Sequence, residues 1–209
     1  MQLIIGSKYI DVVNENYYTI YLILSLLSSS LTLIAAIFIA GKKELLSSYK
    51  IPTRKNIKLI FSTLGIMFLA TFVYNFSLMI AGIDVAGGNA NQSNVVELIM
   101  GNPFLSFFVM VVMAPILEEV TYRYFIYGGV AKFNRKWAIV ISGFIFMCVH
   151  GIASFSTEVD NLFRELILLP PYMFSGMALA YAYQKSENLL IPTSIHSLNN
   201  LISFILCLI

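Results

Sequence analysis

The sequence predicts an all-α integral membrane protein, built as a bundle of about six transmembrane helices. Of its 209 residues, 58% are hydrophobic and only 11% are charged, against roughly 25% charged residues in an ordinary soluble domain. Long apolar runs recur along the chain, and about 20 mostly apolar residues suffice for a helix to cross about 30 Å of hydrocarbon. The net charge of +2 is too small to suggest nucleic-acid binding. Membrane lipid is therefore the expected surrounding.

Six apolar runs are the expected spans. The first two, residues 17–40 and 59–83, contain no charged residue and satisfy the length requirement directly. The other four runs carry polar interruptions and cover about residues 98–127, 137–153, 166–184 and 189–209. The chain thus divides into three predicted parts: a surface segment (1–16), two helices with a basic loop (17–97) and a core with four helices (98–209).

The placement of Lys and Arg predicts the orientation of these helices. Ten positive residues fall in connections on one side: Lys42, Lys43, Lys50, Arg54, Lys55, Lys58, Lys132, Arg135, Lys136 and Lys185. The connections on the other side hold only Lys8 and Arg164. Positive loops stay in the cytoplasm, so six spans place both termini outside it. The loop at residues 41–58 is interpreted as this topology signal, in contact with lipid headgroups.

A small set of polar residues lies inside the later spans: Glu118, Glu119, Arg123, His150, His196 and Asn200. Ionisable groups in membrane helices are costly, and they usually face a bundle interior or a wet cavity. The chain has only two histidines, and both belong to this set. These residues are therefore the candidate functional site.

Helical spacing separates the two adjacent glutamates. Glu119 precedes Arg123 by four residues, which is the favourable order for an ion pair on one helix face. Arg123 is therefore expected to neutralise Glu119. Glu118 points about 100° away around the same helix and is left free to act as a base, a ligand or a proton carrier.

Two further helices present residues four positions apart on one face. His196 and Asn200 form one such pair, and Phe146 and His150 form the other. Counting about 1.5 Å per residue from the predicted cytoplasmic ends places these side chains in one layer with Glu118. We expect one cavity in the membrane, open towards the cytoplasmic side.

Three motifs in this half of the chain resemble those of the CPBP intramembrane proteases. That family includes the CAAX prenyl endopeptidases and the bacterial Abi or bacteriocin-immunity proteins. The motifs are EEVTYR at 118–123, FMCVH at 146–150 and HSLNN at 196–200. The resemblance covers about the last 110 residues and implies an intramembrane endopeptidase with its catalytic site between the C-terminal four helices. The short chain is similar to the bacterial branch, which implies a bacterial cell membrane.

The resemblance also implies a role for each residue. Glu118 is expected to act as general base, and His150 to orient the water or share its proton. His196 and Asn200 are implied at the oxyanion. Glu119 with Arg123 is expected to fix the helix that carries Glu118. Phe146 is expected to wall the cavity and orient the His150 ring, with plain core packing as the alternative.

Two hypotheses are open for the cofactor requirement. In the preferred one no cofactor is expected, and Glu118 activates the water itself. In the other, Glu118, His150 and His196 bind zinc and leave a fourth position for water. The chain has no HExxH motif, and three ligands would leave Glu119 as the remaining carboxylate base.

Two other classes of function remain open. Carboxylates and histidines at one depth also serve proton-coupled transporters, although residues 17–83 and 98–209 show no inverted repeat. A non-catalytic scaffold that binds a membrane-protein partner is the other alternative. For the enzyme, the expected substrate is a membrane-associated peptide or protein, in bacterial peptide maturation or bacteriocin self-immunity.

Overall fold

The computed structural model describes residues 7–152 and 159–209, and within these ranges it consists of helices and short connections without a β-strand. This confirms the predicted all-α fold. Residues 1–6 of the predicted surface segment lie outside the described part, and the remainder of that segment belongs to the first helix. The division into three parts therefore stays a prediction.

Nine helices make up the described part of the chain: α1 (Ser7–Ala40), α2 (Lys42–Ser47), α3 (Arg54–Ile80), α4 (Ala90–Gly101), α5 (Pro103–Ala131), α6 (Arg135–His150), α7 (Val159–Ile167), α8 (Pro170–Ser186) and α9 (Leu190–Leu208). Helix α5 is continuous but widens into π-helical turns at Phe107–Met113 and Val120–Tyr127. Glu118 and Glu119 lie between these two turns, in a short α-helical stretch.

Five segments of the described chain are long and apolar enough to cross a membrane: Asn16–Ala40, Arg54–Ile80, Pro103–Ala131, Leu162–Ser186 and Leu190–Leu208. The sixth expected span coincides with α6, which has 16 residues and is therefore about 24 Å long. That length is less than the roughly 30 Å of hydrocarbon in a bilayer. The protein is a multi-pass membrane protein, and the orientation of its termini stays a prediction.

Asparagine side chains start the helices that position the site. Asn89 and Gln92 form a reciprocal capping box at the start of α4. Asn102 caps α5, where Pro103 occupies the first position, and Asn134 caps α6. Each side chain accepts a hydrogen bond from a backbone N–H that has no partner within the helix. These caps fix where α4, α5 and α6 begin.

Helices α6 and α8 approach each other closely at two glycines. A Cβ added to Gly176 would lie 2.9 Å from the Cα of Gly143 and 3.0 Å from the Cβ of Phe146. Small residues permit such an approach between membrane helices. Because Phe146 and His150 lie on α6, the glycine contact also sets the distance between α8 and the candidate site.

Gly176→Ala is expected to lower the free energy of unfolding by about 1–3 kcal/mol, the usual cost of overpacking. Thermal unfolding of the purified protein in detergent measures the effect. Gly65→Ala in α3 is the matched control, because a Cβ there meets no atom within 4 Å. Equal stability of the two variants would contradict the close contact.

Candidate active site

Helices α5, α6 and α9 bring Glu118 and both histidines to one point in the bundle. Oε2 of Glu118 lies 3.9 Å from Nε2 of His150 and 3.9 Å from Nε2 of His196. This oxygen is buried and has no hydrogen-bond partner among the described residues. Leaving a buried carboxylate oxygen unpaired is costly. Its position between two imidazoles therefore makes Glu118 the candidate for a group that acts on a water or a ligand.

Both imidazole rings are held through Nδ1. In His150, Nδ1 lies 2.9 Å from the carbonyl oxygen of Phe146. In His196, Nδ1 lies 2.9 Å from Oε1 of Glu119. A carbonyl and a carboxylate only accept hydrogen bonds, so each Nδ1 carries the hydrogen. The Nε2 atoms face Glu118, and in a neutral ring each of them is an acceptor.

Glu119 and Arg123 form a fully buried ion pair behind the site. Nε of Arg123 lies 2.9 Å from Oε2 of Glu119, and neither side chain is exposed. Arg123 also donates to the Gly176 carbonyl at 3.2 Å and lies 5.2 Å from the centroid of the Phe146 ring. Spacing in the sequence indicated the ion pair, but gave no sign that Glu119 also reaches His196.

Asn200 borders the site, and part of its amide is engaged by α5. Its Nδ2 donates to the carbonyl of Met110 at 2.9 Å. In this π-helical turn the backbone N–H of Ala114 donates a hydrogen bond to the carbonyl of Val109, five residues earlier. The next hydrogen bond of this pattern would run from the N–H of residue 115 to the carbonyl of Met110, but Pro115 has no N–H. Because of this proline, the Met110 carbonyl is available to accept the hydrogen bond from Asn200, and the Asn200 amide keeps a second N–H.

Aromatic rings surround the two histidines. Phe146 stacks on His150, with 4.2 Å between ring centroids, and meets His196 edge-on at 5.8 Å. Tyr172 also stacks on His150, with 4.8 Å between centroids. Sequence reasoning placed Phe146 beside His150 but missed Tyr172, because a tyrosine after two prolines carries no recognisable pattern.

Two neighbouring cavities share the histidines. One, of about 300 Å³, has the four expected catalytic residues in its wall: Glu118, His150, His196 and Asn200. The other, of about 210 Å³, shares the histidines and Asn200 and extends to Val85 and Gly88 in the α3–α4 connection. Helix α3 separates that connection from the basic loop at residues 41–58. This cavity therefore extends towards the end of α3 opposite the basic loop. The expected opening towards the cytoplasmic side stays a prediction.

The distances between Glu118 and the two histidines can be compared with those of a zinc site and of a site bridged by water. No cluster of three or more His, Cys, Asp or Glu side chains able to hold a metal is found in residues 7–152 and 159–209. Two ligands of a tetrahedral zinc lie about 3.3 Å apart when each bond is about 2.0 Å. Two groups bridged by one water lie roughly 4 to 4.5 Å apart when each hydrogen bond is about 2.8 Å. The observed 3.9 Å is closer to the second arrangement.

Comparison with known proteins gives one family and several bacterial relatives. Residues 100–202, which include all three motifs, match the family model described as type II CAAX prenyl endopeptidase Rce1-like. No solved structure matches the chain.

Three relatives show how far the similarity extends. The chain is 31% identical to UPF0177 protein YaiF of Lactococcus lactis, covering 72% of this chain and 64% of that protein. It is 27% identical to UPF0177 protein YxdF of the same species, covering 82% of this chain and 89% of the relative. Identity to the membrane-embedded CAAX protease MroQ of Staphylococcus aureus is also 27%, covering 64% of this chain and 52% of that protein. The chain thus spans less than two thirds of the first and third relatives.

Proposed function

We propose that the chain is an intramembrane endopeptidase, because residues 100–202 match the family model described as type II CAAX prenyl endopeptidase Rce1-like. It hydrolyses a peptide bond of a membrane-associated peptide or protein with a water activated by Glu118. One observation supports this most strongly: a buried carboxylate oxygen without a hydrogen-bond partner faces the Nε2 atoms of His150 and His196.

In the proposed reaction, Glu118 and His150 hold the attacking water. The oxygen of the water forms a bond to the scissile carbonyl carbon, and Glu118 takes one proton from the water at the same time. The resulting oxyanion accepts hydrogen bonds from Asn200 and His196. Collapse of this intermediate breaks the C–N bond, and Glu118 passes its proton to the leaving amine nitrogen. Water is the only co-reactant.

Glu119 has a specific part in this scheme. Its 2.9 Å contact occupies Nδ1–H of His196, so His196 can donate from Nε2 only when the ring carries both protons. The Glu119 carboxylate stabilises that imidazolium, as the aspartate does in a Ser-His-Asp triad. We therefore assign Glu119 to the positioning of His196, beyond its ion pair with Arg123.

The proposed setting is bacterial peptide maturation or bacteriocin self-immunity. The relatives come from Lactococcus lactis and Staphylococcus aureus, and the name of the third describes a membrane-embedded CAAX protease. The two cavities beside the histidines, of about 210 and 300 Å³, offer space on both sides of a scissile bond. A short peptide segment is accordingly the proposed substrate.

The deciding experiment compares peptide termini in membranes of bacteria that express the wild type, Glu118→Gln or neither. A new terminus that appears only with the wild type identifies the cleavage site. A quenched fluorescent peptide of that sequence then gives kcat and KM for the purified protein in lipid nanodiscs. If no peptide terminus differs between the three strains, and the wild type and Glu118→Gln have the same effect on the cells, the protein acts as a scaffold and the proposal fails.

Active protein is expected to function without a bound metal. Activity should survive prolonged chelation, and elemental analysis should find far less than one zinc per chain. A zinc-dependent enzyme would behave differently, because chelation would remove the metal and abolish activity, and added zinc would restore it. About one zinc per chain, with activity that tracks occupancy, would make Glu118, His150 and His196 its ligands.

A further inference from the structure

We propose that Tyr172 is a positioning residue that fixes the ring of His150 so that Nε2 faces Glu118. The proposal rests on the proposed function for its effect on catalysis, but the geometry itself can be tested without a substrate. Tyr172 lies in the first turn of α8, outside the three motifs, and lines both cavities beside the histidines.

The ring of His150 is held between two aromatic rings. Phe146 stacks on it with 4.2 Å between centroids and an interplanar angle of 30°. Tyr172 stacks on it with 4.8 Å between centroids and an angle of 26°. Two rings stacked on the same face would overlap each other, so Phe146 and Tyr172 occupy opposite faces. Rotation of the imidazole about its bond to Cβ is therefore blocked.

The hydroxyl of Tyr172 is anchored to the start of α4. It donates to Oδ1 of Asn89 at 3.3 Å and accepts from Nδ2 of Asn91 at 3.2 Å. Asn89 is itself buried and belongs to the capping box that begins α4. The tyrosine ring is consequently held at both ends, by its place in α8 and by these two amides.

The start of α4 is fixed in turn by α7. Glu165 accepts a hydrogen bond from the backbone N–H of Ala90 at 2.8 Å. Arg164 donates to three backbone carbonyls at 3.2, 2.7 and 3.0 Å: those of Asp84, Ala86 and Gly88. A continuous set of contacts therefore runs from the wall of the smaller cavity, through Asn89 and Tyr172, to His150. This continuity distinguishes Tyr172 from a residue that only fills space.

Nuclear magnetic resonance of the imidazole nitrogens tests the proposal directly. The chain has only two histidines, so protein labelled with ¹⁵N-histidine in lipid nanodiscs gives two sets of ring signals, which a His196→Gln variant assigns. Wild-type His150 is expected as a single Nδ1–H tautomer. Tyr172→Leu should convert it to a mixture of both tautomers. Tyr172→Phe fills the same space, and should keep the Nδ1–H form with broadened signals because the hydroxyl contacts are lost.

The matched control is Tyr74→Leu. Tyr74 donates to the Ile167 carbonyl at 2.8 Å and packs against Phe174, so its removal deletes a comparable ring and hydrogen bond away from the histidines. It should leave the His150 signals unchanged. Wild-type signals in both Tyr172 variants would overturn the proposal, even if one of them lost activity.

Kinetics provide the second readout, with the peptide identified by terminus comparison. Tyr172→Leu should lower kcat roughly tenfold to hundredfold, as misplacement of a catalytic group does, with a smaller change in KM. If KM rises while kcat is unchanged, Tyr172 binds substrate and the positioning role is refuted. Activity in Glu118→Gln, together with a disordered His150 in Tyr172→Leu, would refute the proposed function and leave the positioning role intact.

Discussion

Glu118→Gln is expected to reduce kcat roughly 10³- to 10⁴-fold, the upper range for loss of a general base. Glutamine has nearly the same shape as glutamate, but its amide cannot take the proton of the attacking water. The fold should remain intact, because the Oε2 atom that changes has no hydrogen-bond partner in the described chain. The measurement is cleavage of the quenched peptide in nanodiscs, with thermal unfolding as the check on folding.

Glu97→Gln is the matched control for this variant. Glu97 accepts a 3.3 Å hydrogen bond from the exposed hydroxyl of Tyr18, and it lines neither cavity beside the histidines. Its replacement should leave kcat within about twofold of the wild type, since surface changes away from a site have small effects. Glu118→Gln with more than a tenth of wild-type activity would show that another group is the base.

Arg123→Met is expected to lower the free energy of unfolding by about 3–5 kcal/mol, because it leaves the charge of Glu119 buried without its partner. Glu119→Gln should also be strongly destabilising, since it leaves the Arg123 guanidinium unpaired. The control is Arg135→Met, which removes the exposed ion pair between Arg135 and Glu187 and should cost less than about 1 kcal/mol. Thermal unfolding in a single detergent measures the stability of the three variants Arg123→Met, Glu119→Gln and Arg135→Met relative to the wild type.

The double variant Glu119→Leu/Arg123→Met separates stability from catalysis. Replacing both members of a buried ion pair with apolar residues can restore stability, so this protein should unfold near the wild-type temperature. It should remain poorly active, because His196 has lost the carboxylate on its Nδ1. Wild-type kcat in a well-folded double variant would show that Glu119 has no role beyond the ion pair.

Much of the architecture could be predicted from the sequence. The apolar runs indicated the helices because burial in lipid demands length and hydrophobicity, whatever the neighbours are. The four-residue spacing of Glu119 and Arg123 indicated their contact because both lie on one helix. The scarcity of charged groups in the spans pointed to Glu118, His150 and His196, which the fold brings together.

Contacts between distant segments could not be predicted in the same way. The bond from Asn200 to Met110 depends on a π-helical turn whose i→i+5 register is not visible in hydropathy. The contacts of Tyr172 with Asn89 and Asn91 depend on how α4 packs beside α8. The smaller cavity reaches Val85 and Gly88 because the α3–α4 connection folds beside it, whereas the expectation from the sequence used only depth along each helix.

The short length of α6 makes the bilayer part of the environment of the site. A helix shorter than the hydrocarbon thickness is accommodated by local thinning of the membrane, at a modest cost for each ångström of mismatch. His150 is the last residue of α6, so we expect such thinning to bring lipid headgroups and their water towards this histidine. Lipids with long acyl chains oppose the deformation, and those with short chains match the helix. We therefore expect the acyl-chain length of the surrounding lipid to influence hydration at the end of α6.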